Sequence, residues 1–246
     1  MVTKVVPGLL IATSDKAHAA REAATRMSNA IHDAVRDRGA ASIALSGGTS
    51  PGDAYKLLAA EAIDWANVQV FWVDERAVPA SHERSNFGHA KAAFLDLIRA
   101  PKGNVHRMPA DDPDMERGAA QYESLLRDLV KDKVGGIPSL DLVVLGIGDD
   151  GHTASLFPGD KTVHVTDRLV APVVAAEGRE ARMTLTAPIL ENAKSTVIIA
   201  LGEKKHEPLE RIWATNGTLD ETPARIIRSF RGSICWVIDR AAGGIA

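Results

Sequence analysis

The sequence is poor in aromatic residues, in cysteine and in net charge. Phe, Trp and Tyr make up 4% of the 246 residues, so a large core has to be built from Ala, Val, Leu and Ile, as in a parallel sheet covered by helices. Cys235 is the single cysteine, so no intramolecular disulfide can form, and its apolar neighbours favour a buried thiol over a nucleophile. A net charge of −3 argues against nucleic acid as the main partner, because nucleic-acid binders need a concentrated basic field.

Long apolar runs are also lacking. None approaches the roughly 20 residues that span a bilayer, so no membrane partner is expected. The apolar stretch near the N-terminus resembles a secretory signal, but Pro7 and Gly8 interrupt it, and Asp15 and Lys16 follow it. We therefore expect a cytoplasmic protein with one domain over residues 1–246, acting as a monomer or a homodimer.

The sequence does contain a regular alternation of apolar runs with amphipathic stretches. Apolar residues at helical spacing predict a first helix between a Ser14 cap and a stop at Gly39, and Asp112 is predicted to cap a later helix. Predicted strands lie at 42–45, 68–73, 105–108, 141–146, 169–174, 182–187, 196–201 and 234–239. This alternation implies right-handed crossovers and an α/β fold with a mostly parallel sheet, whose ligands bind beyond the carboxyl ends of the strands.

A glycine-rich turn, SGGTSP at 46–51, joins the first internal strand to a helix. Ser50 is predicted to cap this helix, with Pro51 first and Asp53 completing a capping box. Backbone amides, hydroxyl groups and the positive helix end could together bind a phosphate, and these groups belong to Gly47, Gly48, Thr49 and Ser50. The alternative is a tight turn whose glycines only permit positive φ. Neither a nucleotide P-loop nor a nucleophilic Ser46 fits, because the Gly-Lys-Ser/Thr ending and the G-x-S-x-G pattern are missing.

A second polar cluster follows the apolar strand at 68–73. Asp74, Glu75 and Arg76 arrive together at its end, where charges face the ligand crevice of a parallel sheet. Arg76 could bind a carboxylate, a lactone oxygen or a phosphate, and Asp74 could orient Arg76 or a substrate hydroxyl. The alternative is a solvated strand end.

The third cluster combines carboxylates, glycines and an imidazole in the segment DLVVLGIGDDGHTASLFPG at 141–159. A free histidine has a pKa near 6.5 and can be oriented by a carboxylate, which suits a general base that takes a proton from water. His152 is therefore the candidate base, and Asp150 either orients it or binds a substrate hydroxyl. The alternatives are a capping Asp and a surface His. A metal is not expected, because no second His, Cys or carboxylate cluster stands at ligand spacing.

Of two further basic residues, one begins a predicted strand and the other follows one. Arg182 begins the run RMTLTA, and Lys205 follows the strand at 196–201 after Gly202. Both could supply positive charge at the same edge of the sheet, although without the glycine turn each would be interpreted as ordinary surface charge.

Taken together, these segments resemble the 6-phosphogluconolactonase family, which is itself similar to the glucosamine-6-phosphate isomerase/deaminase group. The resemblance runs nearly end to end and is carried by LSGGTSP at 45–51, FWVDERAVP at 71–79, SNFG at 85–88, LGIGDDGHTASLFPG at 145–159, RMTLTAPIL at 182–190, GEKK at 202–205 and WVIDRAA at 236–242. In the deaminase branch the histidine segment usually reads DGHIAFNEP, with a glutamate that works with the histidine. Here Ser155, Leu156 and Phe157 replace that ending, which favours the lactonase.

The resemblance implies a single Rossmann-like domain, no cofactor or metal, and hydrolysis of a sugar-phosphate lactone in the pentose phosphate pathway. It also implies that phosphate is held by Gly47, Gly48, Thr49, Arg182 and Lys205. Arg76 and Asp74 would line the sugar, while Asp150 and His152 would serve catalysis.

Two other functions stay open on the residues alone. An isomerase or deaminase acting on an amino-sugar phosphate would need a second acid/base near His152. A non-catalytic sugar-phosphate sensor would keep the glycine turn, but it usually carries a DNA-binding module, and this chain has neither a spare domain nor a basic patch.

Overall fold

The computed structural model describes residues 3–244 and is an α/β structure. Within these residues the strands are β1 (Leu9–Thr13), β2 (Ala41–Leu45), β3 (Val68–Trp72), β4 (Asp74–Arg76), β5 (Lys133–Val134), β6 (Ile137–Pro138), β7 (Leu142–Gly146), β8 (Val170–Val173), β9 (Arg182–Leu185), β10 (Ser195–Ala200) and β11 (Ser233–Asp239). Six of them form a central sheet in the order β1-β11-β10-β7-β2-β3, and every neighbouring pair is parallel. The predicted α/β fold with a mostly parallel sheet is confirmed.

The helices of the described chain flank this sheet. They are α1 (Lys16–Arg38), α2 (Thr49–Leu58), α3 (Asn86–Ala90), α4 (Met115–Leu129), α5 (Ala187–Glu191), α6 (His206–Trp213) and α7 (Arg240–Gly243). Short 3₁₀ helices lie at Trp65–Asn67, Lys102–Asn104, Lys161–His164, Glu203–Lys205 and Pro223–Ser229, and a π turn at Lys91–Leu95. None of these helices is long and apolar enough to cross a membrane.

Three predicted helix starts are wrong, each by one or two residues. The side chain of Asp15, not Ser14, caps α1 by accepting from the amide of His18 at 2.8 Å, while the predicted stop at Gly39 is confirmed by its φ of 74°. Asp114 caps α4 in place of Asp112. Gly48 is the N-cap of α2, no side chain caps that helix, and Ser50 therefore lies inside its first turn. Short polar side chains close together in sequence compete for one cap, and the backbone path decides which is used.

A small antiparallel sheet, β4-β9-β8, lies beside the central one. Val73 links the two sheets, because its amide donates to Leu45 O at 2.9 Å and its carbonyl accepts from the amide of Leu185 at 2.7 Å. The strand predicted at 105–108 is wrong, since only an isolated bridge joins Val105 to Val70 there. Val73 thus connects β3, at the edge of the central sheet, directly to the charged residues of β4 in the small sheet.

The order of the sheet fixes where a ligand crevice lies. From β2 the chain moves outward to β3, whereas from β7 it moves the other way to β10 and β11. The adjacent strands β2 and β7 therefore form the switch point at which α/β sheets bind ligands. The core beneath is largely aliphatic, as predicted, and Cys235 is a buried thiol whose pKa is raised by burial.

Candidate active site

A cleft of about 590 Å³ lies at the carboxyl ends of β2 and β7. Eight of the ten residues predicted for the site line this cleft: Gly47, Gly48, Asp74, Arg76, Asp150, His152, Arg182 and Lys205. Thr49 and Ser50 instead line an adjoining cleft of about 420 Å³, which shares both glycines and Lys205 with the first. Residues spread from position 47 to position 205 thus converge on one crevice.

The loop after β7 folds back on itself to present His152. The amide of Gly148 donates to the carbonyl of His152 at 2.8 Å, and Gly151, with a φ of 91°, donates back to Gly148 O at 3.0 Å. A Cβ atom added to Gly148 would lie 2.0 Å from His152 Nδ1 and 2.6 Å from Asp150 Oδ1. Only glycine at position 148 lets this imidazole and this carboxylate occupy the same turn.

His152 and Asp150 form a tight pair. His152 Nδ1 lies 2.6 Å from Asp150 Oδ1, which also accepts from the His152 amide at 3.0 Å. Burial on its own would raise the pKa of Asp150, but the hydrogen bond and the charge of His152 outweigh it and lower that pKa to about 2. An ionised carboxylate can only accept, so Nδ1 carries the proton and Nε2 of the neutral ring keeps the lone pair.

A Gly148→Ala variant tests this geometry. We expect kcat to fall about 10²-fold, because the added methyl group displaces the imidazole by an ångström or more. Gly52→Ala in α2 is the matched control, since a Cβ there meets nothing within 4 Å, and it should keep full activity. Steady-state kinetics of the two variants, with thermal melts to verify folding, makes the comparison. An active Gly148→Ala enzyme would contradict the assignment of a fixed imidazole.

Phe157 packs against the imidazole from the same segment. The two ring centroids lie 4.4 Å apart, and the guanidinium carbon of Arg179 lies 3.9 Å from the Phe157 centroid. Arg179 is itself held by Asp160 at 3.0 Å. Phe157 stands at the position of the glutamate in DGHIAFNEP, so an aromatic ring occupies the place where a second acid/base group would lie.

Asp74 is 5% exposed and already satisfied by protein groups. Ser155 Oγ donates to its Oδ2 at 2.6 Å and Asn86 Nδ2 donates to its Oδ1 at 3.1 Å. Arg182 Nη1 lies 3.6 Å from Oδ2. The carboxylate therefore lies beside Arg182, whereas the sequence predicted that it orients Arg76, and it fixes the loop that follows His152. Its other predicted role, binding of a substrate hydroxyl, stays a prediction.

The two arginines of the cleft lie side by side on adjacent strands of the small sheet. Arg76 of β4 is in register with Arg182 of β9, and Arg76 Nη1 donates to the carbonyl of Arg84 at 2.6 Å. Burial lowers the pKa of Arg182, and the nearby charge of Asp74 opposes this shift. Both side chains keep a buried Nε without a hydrogen-bond partner among the described residues.

Glu75 is fully buried and organises the loop that follows β4. Its carboxylate accepts from the Ser85 hydroxyl at 3.0 Å and from the amides of Asn86 and Phe87 at 2.8 Å each. These bonds place Asn86 at the wall of the cleft. The sequence identified Glu75 only as part of a charged cluster, and no local pattern indicated its partners ten to twelve residues further on.

The backbone of the glycine turn is fixed by Tyr55, and the helix that follows the turn has no side-chain cap. The buried Tyr55 hydroxyl accepts from the Ser46 amide at 3.1 Å and donates to the Ser46 carbonyl at 2.9 Å. Because no side chain caps α2 and Pro51 has no N–H, the remaining amide donors of the first helical turn belong to Thr49 and Ser50. An uncapped, positive helix end beside basic side chains is suited to an anion.

Lys205 is the third basic side chain of the cleft, beside Arg76 and Arg182. It ends the 3₁₀ helix Glu203–Lys205 after Gly202, and its Nζ lies 2.5 Å from Asp149 Oδ1. The Gly202 amide is in turn bound by the buried carboxylate of Asp239 at 2.9 Å. Asp149 therefore ties the strand end of β10 to the His152 loop, a partner that the sequence motif contained without a stated role.

Among residues 3–244 no three His, Cys, Asp or Glu side chains converge as metal ligands. The lining of the cleft contains one lysine, two arginines, three aspartates and one imidazole, which is held by the aspartate Asp150. Such a crevice is suited to acid–base chemistry on a small anionic molecule, which defines the class as an α/β enzyme of anionic metabolites. The chain belongs to the family described as glucosamine-6-phosphate isomerases/6-phosphogluconolactonase, which matches residues 14–236.

Relatives within this family support the placement. The chain is 39% identical over 213 residues to a 6-phosphogluconolactonase of Synechocystis sp., which covers 87% of this chain and 88% of the relative. It is 28% identical to the solved 6-phosphogluconolactonase of Trypanosoma cruzi, with a TM-score of 0.87 over 99% of this chain and 98% of that one.

The fold alone does not separate the two branches of the family. A solved monomeric glucosamine-6-phosphate deaminase is 18% identical and superposes with a TM-score of 0.80, over 97% of this chain and 100% of that one. At this identity the likeness shows only the shared fold.

Proposed function

We propose that this chain hydrolyses 6-phospho-D-glucono-1,5-lactone to 6-phospho-D-gluconate. The observation that carries the proposal is the Asp150–His152 pair with Phe157, rather than a second carboxylate, packed against its imidazole. Hydrolysis of a lactone needs one base that activates water, and this site supplies one. The names of the relatives from Synechocystis sp. and Trypanosoma cruzi agree with this activity.

In this proposal the phosphate is held by basic side chains, backbone amides and hydroxyl groups of the two adjoining clefts. Arg182 and Lys205 supply charge, and the open end of α2 supplies the amides of the glycine turn together with the Thr49 and Ser50 hydroxyls. Charge-assisted hydrogen bonds of this kind are about twice as strong as neutral ones. Anchoring the phosphate positions the C1 carbonyl near His152 without any covalent bond to the protein.

The reaction then proceeds by general-base catalysis. His152 Nε2 takes a proton from water while the water oxygen attacks C1, which gives a tetrahedral oxyanion. Collapse of this intermediate breaks the bond between C1 and the ring oxygen, and the imidazolium returns the proton to that oxygen. Arg76 or a backbone amide stabilises the oxyanion, a contribution worth about 3 kcal/mol per donor in other enzymes.

Asp150 acts in this scheme by orienting His152. Its Oδ1 already accepts from both Nδ1 and the backbone amide of His152, and its low pKa keeps it ionised throughout the neutral range. A negative charge at that position stabilises the imidazolium that forms when water is deprotonated. Substrate hydroxyls are then bound by other groups.

Comparison of two lactones tests the proposal. Proton release should follow addition of the 6-phosphorylated lactone, with kcat/KM about 10²- to 10⁴-fold above that for unphosphorylated gluconolactone, because two charged contacts to phosphate are lost in the second case. Ammonia release from glucosamine 6-phosphate, without lactone hydrolysis, would instead establish the deaminase. Binding of sugar phosphates without turnover of either substrate would establish a sensor.

We further propose that the enzyme serves the oxidative pentose phosphate pathway in the cytoplasm as a monomer or homodimer. The apolar cluster runs without a break from α1 through the central sheet to α7, which supports one catalytic domain for residues 1–246. Residues 1, 2, 245 and 246 lie outside the described part of that range.

A further inference from the structure

The cleft contains two buried polar atoms that the mechanism does not use. Ser46 Oγ and Asn86 Oδ1 have no hydrogen-bond partner among the described residues, although both residues line the cleft. Ser46 is 6% exposed and Asn86 is 2% exposed. Buried polar groups are nearly always hydrogen-bonded, so two such atoms in one cleft point to a ligand group.

The orientation of the Asn86 amide is fixed by its neighbours. Its Nδ2 donates to the carbonyl of Asp74 at 2.9 Å and to the carboxylate of the same residue at 3.1 Å. Both partners are acceptors, so the nitrogen must face them and the oxygen must face the other way. A Cβ atom on Gly47 would lie 1.7 Å from this oxygen, which places Asn86 Oδ1 against the residue that follows Ser46.

Ser46 is held by its backbone while its hydroxyl stays free. Tyr55 binds both its amide and its carbonyl, so the position of the residue does not depend on Oγ. Among the described residues Ser46 Oγ also has no base within hydrogen-bond distance, which agrees with the absence of a nucleophile pattern around it. The hydroxyl is therefore available to a ligand as donor or acceptor.

We propose that Ser46 and Asn86 together recognise one hydroxyl group on the sugar ring of the substrate. The substrate hydroxyl donates to Asn86 Oδ1 and accepts from the Ser46 hydroxyl, which satisfies both buried atoms at once. This inference rests on the proposed lactonase function and makes the two residues determinants of specificity. A substrate that lacks the hydroxyl leaves buried groups unpaired, the situation in which polar sites discriminate most strongly.

The test uses three analogues of the phosphorylated lactone that lack the hydroxyl at C2, C3 or C4. For the unaltered enzyme, kcat/KM should fall about 10- to 100-fold on one of the three. Ser46→Ala should lower kcat/KM on the parent lactone. In this variant, kcat/KM for the parent lactone and kcat/KM for that same analogue should differ by no more than about twofold. Asn86→Ala should reduce the ratio of kcat/KM between the parent lactone and the analogue deoxygenated at the same carbon. This variant also loses the bonds of Asn86 to Asp74, which lowers its stability but does not restore discrimination.

Folding of the main variant is easily verified, because Ser46 Oγ makes no internal hydrogen bond and its removal should not lower the melting temperature. Ser28→Ala in α1 is the matched control, a buried serine away from the cleft, and it should keep the discrimination of the unaltered enzyme. Equal turnover of all three analogues by the unaltered enzyme, or unchanged ratios in both variants, would overturn the proposal.

Failure of the lactonase proposal gives a different result, since the parent lactone itself would then not be turned over. In that case calorimetry with 6-phosphogluconate and its deoxy forms tests the same contact by affinity. Weaker binding of one deoxy form by the unaltered protein, with no such difference in Ser46→Ala, would support the contact. Equal binding of all the deoxy forms by the unaltered protein would refute it.

Discussion

Replacing His152 with alanine should lower kcat for the phosphorylated lactone by about 10²- to 10⁴-fold and leave KM within about twofold. The imidazole is the one base of the cleft held in a defined tautomer, through its 2.6 Å contact with Asp150. The proposed phosphate contacts come from other segments, those of Arg182, Lys205 and the glycine turn, so ground-state binding survives the change. Proton release measured over a range of substrate concentrations separates kcat from KM.

The chain offers a matched control for this experiment. His164 Nε2 lies 2.7 Å from Asp220 Oδ1, so it forms a similar imidazole–carboxylate pair, but on the exposed surface and outside the cleft. His164→Ala should keep both kinetic constants. A His152→Ala enzyme with the kcat of the unaltered protein would remove His152 from the mechanism and direct attention to a different activator of water.

Much of the fold follows from patterns that act over short distances. Runs such as 196–201 and 234–239 are apolar on both faces, and this is what strands buried between two helical layers require. The predicted strand at 105–108 is shorter and contains His106 and Arg107, and it forms only one bridge, at Val105. A long run that is apolar on both faces thus predicts a strand of the sheet interior well, whereas a short mixed run depends on what lies alongside it.

The convergence of the site was predictable for a related reason. Residues at the carboxyl ends of parallel strands must meet at one edge of the sheet, so glycine turns and charges at those positions share a crevice. This explains why Gly47, Gly48, Asp150, His152 and Lys205, which follow β2, β7 and β10, line one cleft. Asp74, Arg76 and Arg182 reach the same cleft from the antiparallel sheet, to which this rule does not apply. It does not explain Thr49 and Ser50, which α2 carries into the adjoining cleft because the helix begins at Thr49, earlier than predicted.

Contacts between distant segments account for what the sequence did not reveal. Ser155 donates to Asp74, 81 residues earlier in the chain, and Lys205 pairs with Asp149, 56 residues earlier. Such pairs depend on how strands that are distant in sequence are placed side by side, and they leave no local spacing to read. The position of Phe157 was visible in the motif, but its packing on His152 became interpretable only with the loop folded.

Asp150→Asn is expected to lower kcat by about 10²- to 10⁴-fold with little change in KM. An asparagine Oδ1 can still accept from the amide and Nδ1 of His152, so the loop should keep its shape. What disappears is the negative charge that stabilises the imidazolium formed when water is deprotonated. If Asp150 instead gripped the sugar, KM would rise and kcat would fall much less, so the split between the two constants decides between its two roles.

The ionisation of Asp150 provides a second readout of the same substitution. Because its folded-state pKa of about 2 lies below the ordinary value of 3.8, its stabilising contribution is fully present above about pH 4 and is lost as the pH falls through 2. The difference in unfolding free energy between the unaltered protein and Asp150→Asn should therefore shrink as the pH falls from about 4 to 2. Asp220→Asn, in the exposed pair with His164, is the matched kinetic control and should retain full activity. A constant stability difference down to pH 2, together with an unchanged kcat, would show that Asp150 neither binds His152 as a carboxylate nor assists it in catalysis.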